Sequence, residues 1–204
     1  MTSDENQQYF TNQPTSEHDI SYWDFDLLNN KLKFKTDAGV FSKKRVDFGT
    51  VQMIEAAGAV EFVDGPLLDL GTGYGPVGIA FAKKGYQVTM SDVNQRALEL
   101  AKNNASDNDV SDKVKIVESD IYENIDDKFA AILVNPPIRA GKQVIKKMIE
   151  DSPEHLLKGG KFIFVVQKKQ GAESYKKIAE DTFNNIELLA RNKGYMVYSA
   201  TKNN

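Results

Sequence analysis

The sequence predicts an α/β domain of the doubly wound type: a mostly parallel seven-stranded sheet with an antiparallel C-terminal strand and an N-terminal β-hairpin cap. Three observations carry that expectation. Beyond residue 66, short apolar runs alternate strictly with stretches of helical spacing, the pattern of a parallel sheet covered on both faces. A glycine-rich loop joins the first of those runs to the helix that follows it. The last two runs are separated by Asn192-Lys193-Gly194, a link too short for a crossover helix, so those strands run antiparallel.

Taken in order, residues 1–19 are polar and aperiodic and read as a disordered tail, with 20–204 forming one domain whose hairpin occupies 20–47. Trp23, Phe25 and Leu27 alternate with Tyr22, Asp24 and Asp26, and Leu32 and Phe34 alternate with Lys31, Lys33 and Lys35. The Asn29-Asn30 pair between them suits a tight turn of positive φ. From Phe48, the positions of Val51, Ile54 and Ala56-Ala57 suggest a helix. Strands are expected at 66–70, 87–91, 114–118, 130–135, 161–167, 186–190 and 195–200. Helices are expected at 77–84, 95–104, 144–157 and 174–183; in the third, Val144 and Met148, like Ile145 and Ile149, lie four apart.

Composition narrows the chemistry. Of 204 residues, none is cysteine, which excludes disulfides, thiolate metal sites and cysteine nucleophiles. The two histidines, His18 and His155, are far apart in sequence, so no metal site is expected. The N-terminus lacks the basic start and apolar run of a signal peptide, and no apolar stretch approaches the roughly 20 residues of a membrane helix. A cytoplasmic enzyme without a membrane partner is the expectation. The net charge of −3 is unlike that of a non-specific nucleic-acid binder. The clusters Lys43-Lys44-Arg45, Lys142 with Lys146-Lys147, and Lys168-Lys169 leave such a role open, although a charge cluster is ordinarily a solvated face.

Leu67-Leu68-Asp69-Leu70-Gly71-Thr72-Gly73-Tyr74-Gly75-Pro76 leads from a buried strand into a helix. Glycines permit the tight turn and close approach of a ligand, and Pro76 suits the first helical turn. Gly73-x-Gly75-x-x-Gly78, with Asp92 at the end of the next strand, matches a dinucleotide fingerprint. Asp69-x-Gly71-x-Gly73-x-Gly75 equally resembles the first motif of Rossmann-like methyltransferases, where the loop holds the methionine part of S-adenosylmethionine. That cofactor has no pyrophosphate, so its site calls for carboxylates facing a cation, and Asp69 fits. Asp92 and Asp120 end the next two strands, where open α/β sheets place their ligands. A carboxylate at Asp92 can accept both ribose hydroxyls of either cofactor.

The fourth strand ends in Asn135-Pro136-Pro137-Ile138. Two prolines stop the ladder and stiffen the chain, so the Asn135 side chain and the Pro136 carbonyl can form a rigid pair of acceptors. The tetrapeptide resembles the fourth motif of methyltransferases acting on planar amines. Such an amine is a poor nucleophile because its lone pair is delocalised. Accepting its two hydrogens turns the lone pair toward an electrophilic methyl group and stabilises charge developing on nitrogen. A dehydrogenase has no evident use for this element.

Gly39-Val40-Phe41-Ser42, Val46-Asp47-Phe48-Gly49-Thr50, Asp69 to Gly75, Asn135 to Lys142, Gln167 to Ala172 and Arg191 to Tyr195 together resemble the small-subunit ribosomal RNA methyltransferase C family, in particular its short single-domain members. The resemblance spans roughly residues 22–200 and implies methyl transfer to the exocyclic amine of a guanine in ribosomal RNA or a ribosomal subunit. It implies cofactor contacts from Asp69, Gly71, Thr72, Gly73, Gly75, Asp92, Val93, Asp120, Ile121 and Asn135. Catalysis falls to Asn135, Pro136, Pro137 and Ile138, and substrate contacts to Phe41, Ser42, Asp47, Thr50, Arg139 and Lys142. Ile138 stands where many amine methyltransferases carry a stacking aromatic residue, which leaves Phe41 or Tyr74 for that task. Three other readings stay open: a protein glutamine or small-molecule amine as acceptor, a nicotinamide-dependent oxidoreductase, and a catalytically silent RNA-binding module.

Overall fold

A computed structural model of the chain describes residues 20–37 and 45–203. The expected tail at 1–19, and Phe41 and Ser42, lie outside the described residues. Along the chain come β1 (Ser21–Leu27), β2 (Asn30–Thr36), α1 (Phe48–Gly58), β3 (Leu67–Leu70), α2 (Pro76–Lys83), β4 (Val88–Asp92) and α3 (Gln95–Asp107). They are followed by β5 (Val114–Glu118), β6 (Phe129–Val134), α4 (Lys142–Glu150), β7 (Leu156–Gln167), α5 (Ala172–Phe183), β8 (Glu187–Asn192) and β9 (Tyr195–Thr201). The large sheet has the order β5-β4-β3-β6-β7-β9-β8, while β1 and β2 pair with each other. β3 to β7 are parallel and β9 runs antiparallel to both of its neighbours, the architecture the sequence predicts.

The central strands read as continuous apolar runs because both of their faces are covered. Leu67, Ala131, Leu133, Ile163 and Val165 face the layer of α1, α2, α3 and the hairpin. Leu68, Ile132, Val134, Phe162 and Phe164 face α4 and α5. Each fully buried phenylalanine or leucine contributes roughly 1.5–3 kcal/mol relative to an exposed one. The chain builds outward from β3 to β5, then returns to place β6 on the other side of β3. Above that reversal the connections diverge and leave a crevice at the carboxyl ends of the strands.

Two asparagines attach the hairpin. Asn104 of α3 accepts from the Lys35 amide at 2.7 Å and donates to the Lys35 carbonyl at 2.9 Å and to the Tyr74 carbonyl at 2.8 Å. One helical turn later, Asn108 accepts from the Lys33 amide at 2.9 Å and donates to the Lys33 carbonyl at 2.7 Å. Each side-chain amide acts as a peptide group would, so the open edge of β2 pairs with a helix instead of a strand. Trp23 and Phe34 each meet Tyr74 edge-on beneath and tilt against each other, with ring centroids 5.2–5.8 Å apart. Tyr74 is therefore a core residue here and not a surface for stacking a base.

Two sequence expectations shift. The hairpin turn is Leu28-Asn29, with φ of 49° and 62°, and not Asn29-Asn30. Either register keeps the apolar side chains on one face, so alternation cannot choose between them. The tip contacts decide: the Leu28 amide donates to Glu55 at 3.0 Å, and the Leu28 side chain fills the space a Cβ at Gly58 would need. The helix expected at 144–157 stops at Glu150, gives way to a 3-10 turn at Ser152–His155, and β7 already begins at Leu156. Pro153 explains the break, because it has no amide to continue an α-helix.

Replacing Asn104, which is fully buried, with alanine removes partners from three backbone groups. We expect a loss of about 2–4 kcal/mol in urea unfolding, with faster hydrogen exchange at the Lys35 amide. Lys31→Ala at the exposed hairpin surface should change stability by less than about 0.5 kcal/mol.

Candidate active site

The glycine loop is built around Asp69. This side chain is 2% exposed, and its Oδ2 accepts from the Thr72 hydroxyl at 2.5 Å and from the Gly78 amide at 2.9 Å. Burial pushes its carboxyl up from 3.8 to about 7; the two hydrogen bonds oppose that rise and the Asp92 charge adds to it. The amides of Gly71 and Thr72 both donate to the Ser91 carbonyl, at 2.9 and 2.8 Å, so the loop is stitched to β4. Gly71 and Gly73 have φ of 74° and 57°, and a Cβ on either would meet nothing within 4 Å. They form an open cradle that only glycine leaves clear. Gly78 serves packing instead, since a Cβ there would lie 2.1 Å from the Met90 sulfur. With the Gly78 amide committed to Asp69, a pyrophosphate at this helix N-terminus would meet a carboxylate, which weighs against the dinucleotide reading.

Asp92 closes the second side of the crevice. Its two oxygens accept from the Gly73 and Asn94 amides, each at 2.9 Å, and burial raises its carboxyl above the ordinary range. Val93, beside it, is half-buried. The Asp92 carbonyl accepts from the Ser119 amide at 3.0 Å, which brings the end of β5 alongside. There Asp120 is exposed, and Ile121 is buried with φ of 52°, its carbonyl accepting from the Ser119 hydroxyl at 3.1 Å. A groove of about 540 Å³ runs from Asp120 and Ile121 along Gln143 and Val144 of α4.

On the far side of β3, β6 delivers Asn135. Its Nδ2 donates to Thr50 Oγ1 at 2.8 Å and to Asp47 Oδ2 at 3.2 Å. Asp47 is also the N-cap of α1, accepting from the Thr50 amide at 3.1 Å. Pro136 is buried, Pro137 precedes a 3-10 turn at Ile138–Ala140, and the Ala140 amide donates back to Pro137 at 2.8 Å. Ile138 leans on the apolar layer of α4 and α5. Arg139 and Lys142 are exposed on the turn and at the start of α4.

Sequence reasoning missed the aromatic pair beside Asp47. Phe48 and Tyr195 lie 5.5 Å apart between ring centroids, and the Lys193 ammonium sits 5.0 Å over the Phe48 ring. A Cβ on Gly49 would come within 2.8 Å of the Tyr195 ring, which accounts for the glycine in Val46-Asp47-Phe48-Gly49-Thr50. The Lys168 amide donates to the Gly194 carbonyl at 2.7 Å, bringing the β8–β9 turn to the same end of the sheet. Membership of both segments in the matched motifs is the signal the sequence offers; their contact needs the fold.

The family model for the methyltransferase small domain matches residues 31–199. The chain belongs to this family. It is 42% identical over 200 residues to the uncharacterized protein YbxB of Bacillus subtilis, covering 96% of this chain and 98% of that one. It is 35% identical over 176 residues to the ribosomal RNA small subunit methyltransferase C of Hamiltonella defensa and 31% identical over 167 to that of Haemophilus influenzae. These alignments take in 83% and 79% of this chain but 50% and 48% of those proteins, so the chain spans about half their length. The resemblance drawn from the sequence is borne out. Among solved structures, the T. thermophilus 16S rRNA N2 G1207 methyltransferase in complex with AdoMet and guanosine superposes with a TM-score of 0.81 at 24% identity, covering 93% of this chain and 52% of that one. A ribosomal protein L11 methylase from Lactobacillus delbrueckii gives 0.67 at 18%, covering 76% and 79%. At such identities the likeness speaks for the fold.

The Asp69 carboxyl makes a testable demand on stability. Its folded-state value of about 7 lies above its ordinary 3.8, so the folded chain holds a proton that the unfolded chain has released. The contribution of this group to stability is therefore full below about pH 4, falls as pH rises through this window, and is smaller by on the order of 4 kcal/mol at neutrality. Urea unfolding between pH 4.5 and 7.5 should show a shallower decline for Asp69→Asn, whose carbonyl can still accept from Thr72 and Gly78.

Proposed function

We propose that the chain is a cytoplasmic S-adenosylmethionine-dependent N-methyltransferase whose acceptor is the exocyclic amine of a guanine in small-subunit ribosomal RNA. One observation carries the reading: the Asn135 amide nitrogen is held by Asp47 and Thr50, across the crevice from an open glycine cradle. The residues present fit the cofactor. Gly71 and Gly73 leave room for its methionine part, and Asp69, Asp92 and Asp120 offer carboxylates for a cation, a ribose and an adenine amine. Bound there, S-adenosylmethionine supplies a methyl group on a cationic sulfur.

The chain's own residues then act by position. Asn135 Oδ1 and the Pro136 carbonyl accept the two amine hydrogens and turn the nitrogen lone pair toward the cradle. The two prolines hold that pair rigid, so little reorganisation is needed as positive charge grows on nitrogen. Ile138 gives apolar contact to one side of the acceptor. Arg139, Lys142, Lys168, Lys169 and Lys193 follow the carboxyl ends of β6, β7 and β8, Arg191 lies in the last residues of β8, and together they suit a phosphate backbone despite the net charge of −3.

A protein glutamine is the second reading, since its amide is also planar and Ile138 offers no aromatic face to a base. The test is transfer of a labelled methyl group to small ribosomal subunits, to their free RNA and to glutamine-containing peptides. Asn135→Ala should lower transfer about 10²–10³-fold while calorimetric cofactor affinity is largely kept. Undiminished transfer by that variant would sink the mechanism, and transfer confined to peptides would replace the acceptor.

A further inference from the structure

We infer that Asp47 and Thr50 are positioning residues for methyl transfer: they take the Asn135 amide hydrogens and so fix its Oδ1 toward the acceptor amine. This rests on the role proposed for Asn135 and goes beyond it by naming what sets that side chain's polarity. An asparagine amide has nearly the same shape in either flip, yet the flips are opposite in chemistry. One presents an acceptor to the amine hydrogens and the other presents a donor that repels them.

Thr50 alone would tolerate both flips, because a hydroxyl donates or accepts. Asp47 does not. An ionised carboxylate has no hydrogen to give, so the flipped amide would set its own oxygen against Asp47 Oδ2, where the nitrogen now lies at 3.2 Å. Nor is Asp47 free to turn away. Its Oδ2 caps α1 through the Thr50 amide at 3.1 Å. Thr50 is 5% exposed and is held in the first turn of the helix. Donation to a carboxylate also polarises the Asn135 amide and makes Oδ1 a stronger acceptor. The first turn of α1, 85 to 88 residues away in sequence, thereby sets which hydrogen-bonding sign the crevice offers.

Two sets of variants test this. Thr50→Val keeps the shape and removes the acceptor; methyl-transfer kcat should fall about tenfold with cofactor Kd unchanged, and Thr50→Ser should recover most of the rate. Asn135→Asp sets two carboxylates against each other. Adding Asp47→Asn restores a donor–acceptor pair: with its Nδ2 in the place of Oδ2, the new side chain donates to one oxygen of residue 135 while the other faces the amine, at the cost of the helix cap that the same oxygen provides. The double variant should recover at least about tenfold in kcat over Asn135→Asp alone. A native rate in Thr50→Val, or no recovery in the double variant, overturns the positioning role while leaving Asn135 essential. Full transfer by Asn135→Ala is the different result that removes the underlying reading. If Thr50→Val does not fold, the double variant decides.

Discussion

Asp69 fixes the loop on which the crevice depends. A carboxyl group with 2% exposure loses most of its hydration, and the Thr72 hydroxyl and the Gly78 amide offset part of that loss. Those two partners stand at opposite ends of the turn, so satisfying the carboxylate also sets the path between them. Gly71 and Gly73 are then held with open space beside them, and the Gly73 amide reaches Asp92. The same bond withdraws the Gly78 amide from any phosphate. One side chain thus shapes the cradle and biases it toward a cation.

The crevice is divided by charge along the line where strand order reverses. On the β3-β4-β5 side the strand ends carry Asp69, Asp92 and Asp120. On the β6-β7-β9-β8 side they lead to Arg139, Lys142, Lys168 and Lys193, with Phe48 and Tyr195 beside Asp47. The division sets acidic groups on one side of the crevice and basic groups on the other. Asn135 stands at the boundary, and α1 reaches across to hold it.

Much of the fold was legible because it is written in local patterns. Alternating apolar runs and helical spacing gave the sheet, and the short final link gave the antiparallel strand. The glycine loop and the two prolines of Asn135-Pro136-Pro137 announce themselves through backbone chemistry that does not depend on distant residues. What escaped was relational. Asp47 and Thr50 were expected near the acceptor, yet their visible partner is Asn135, and nothing local to either segment reveals that contact. Leu28 in a left-handed conformation runs against its own preference and is explained only by Glu55 and Gly58. Asn104 reads as an ordinary polar position at the end of a helix, and Asn108 as one beyond it, until β2 is set beside them.

Those two asparagines carry a kinetic consequence. They join segments 69 and 75 residues apart, so the pairing of β2 with α3 closes a long loop and gains nothing until α3 already lies on the sheet. If the hairpin docks only after the α/β core has condensed, its seam forms on the native side of the folding barrier. Weakening that seam would hasten unfolding and leave the refolding rate nearly untouched.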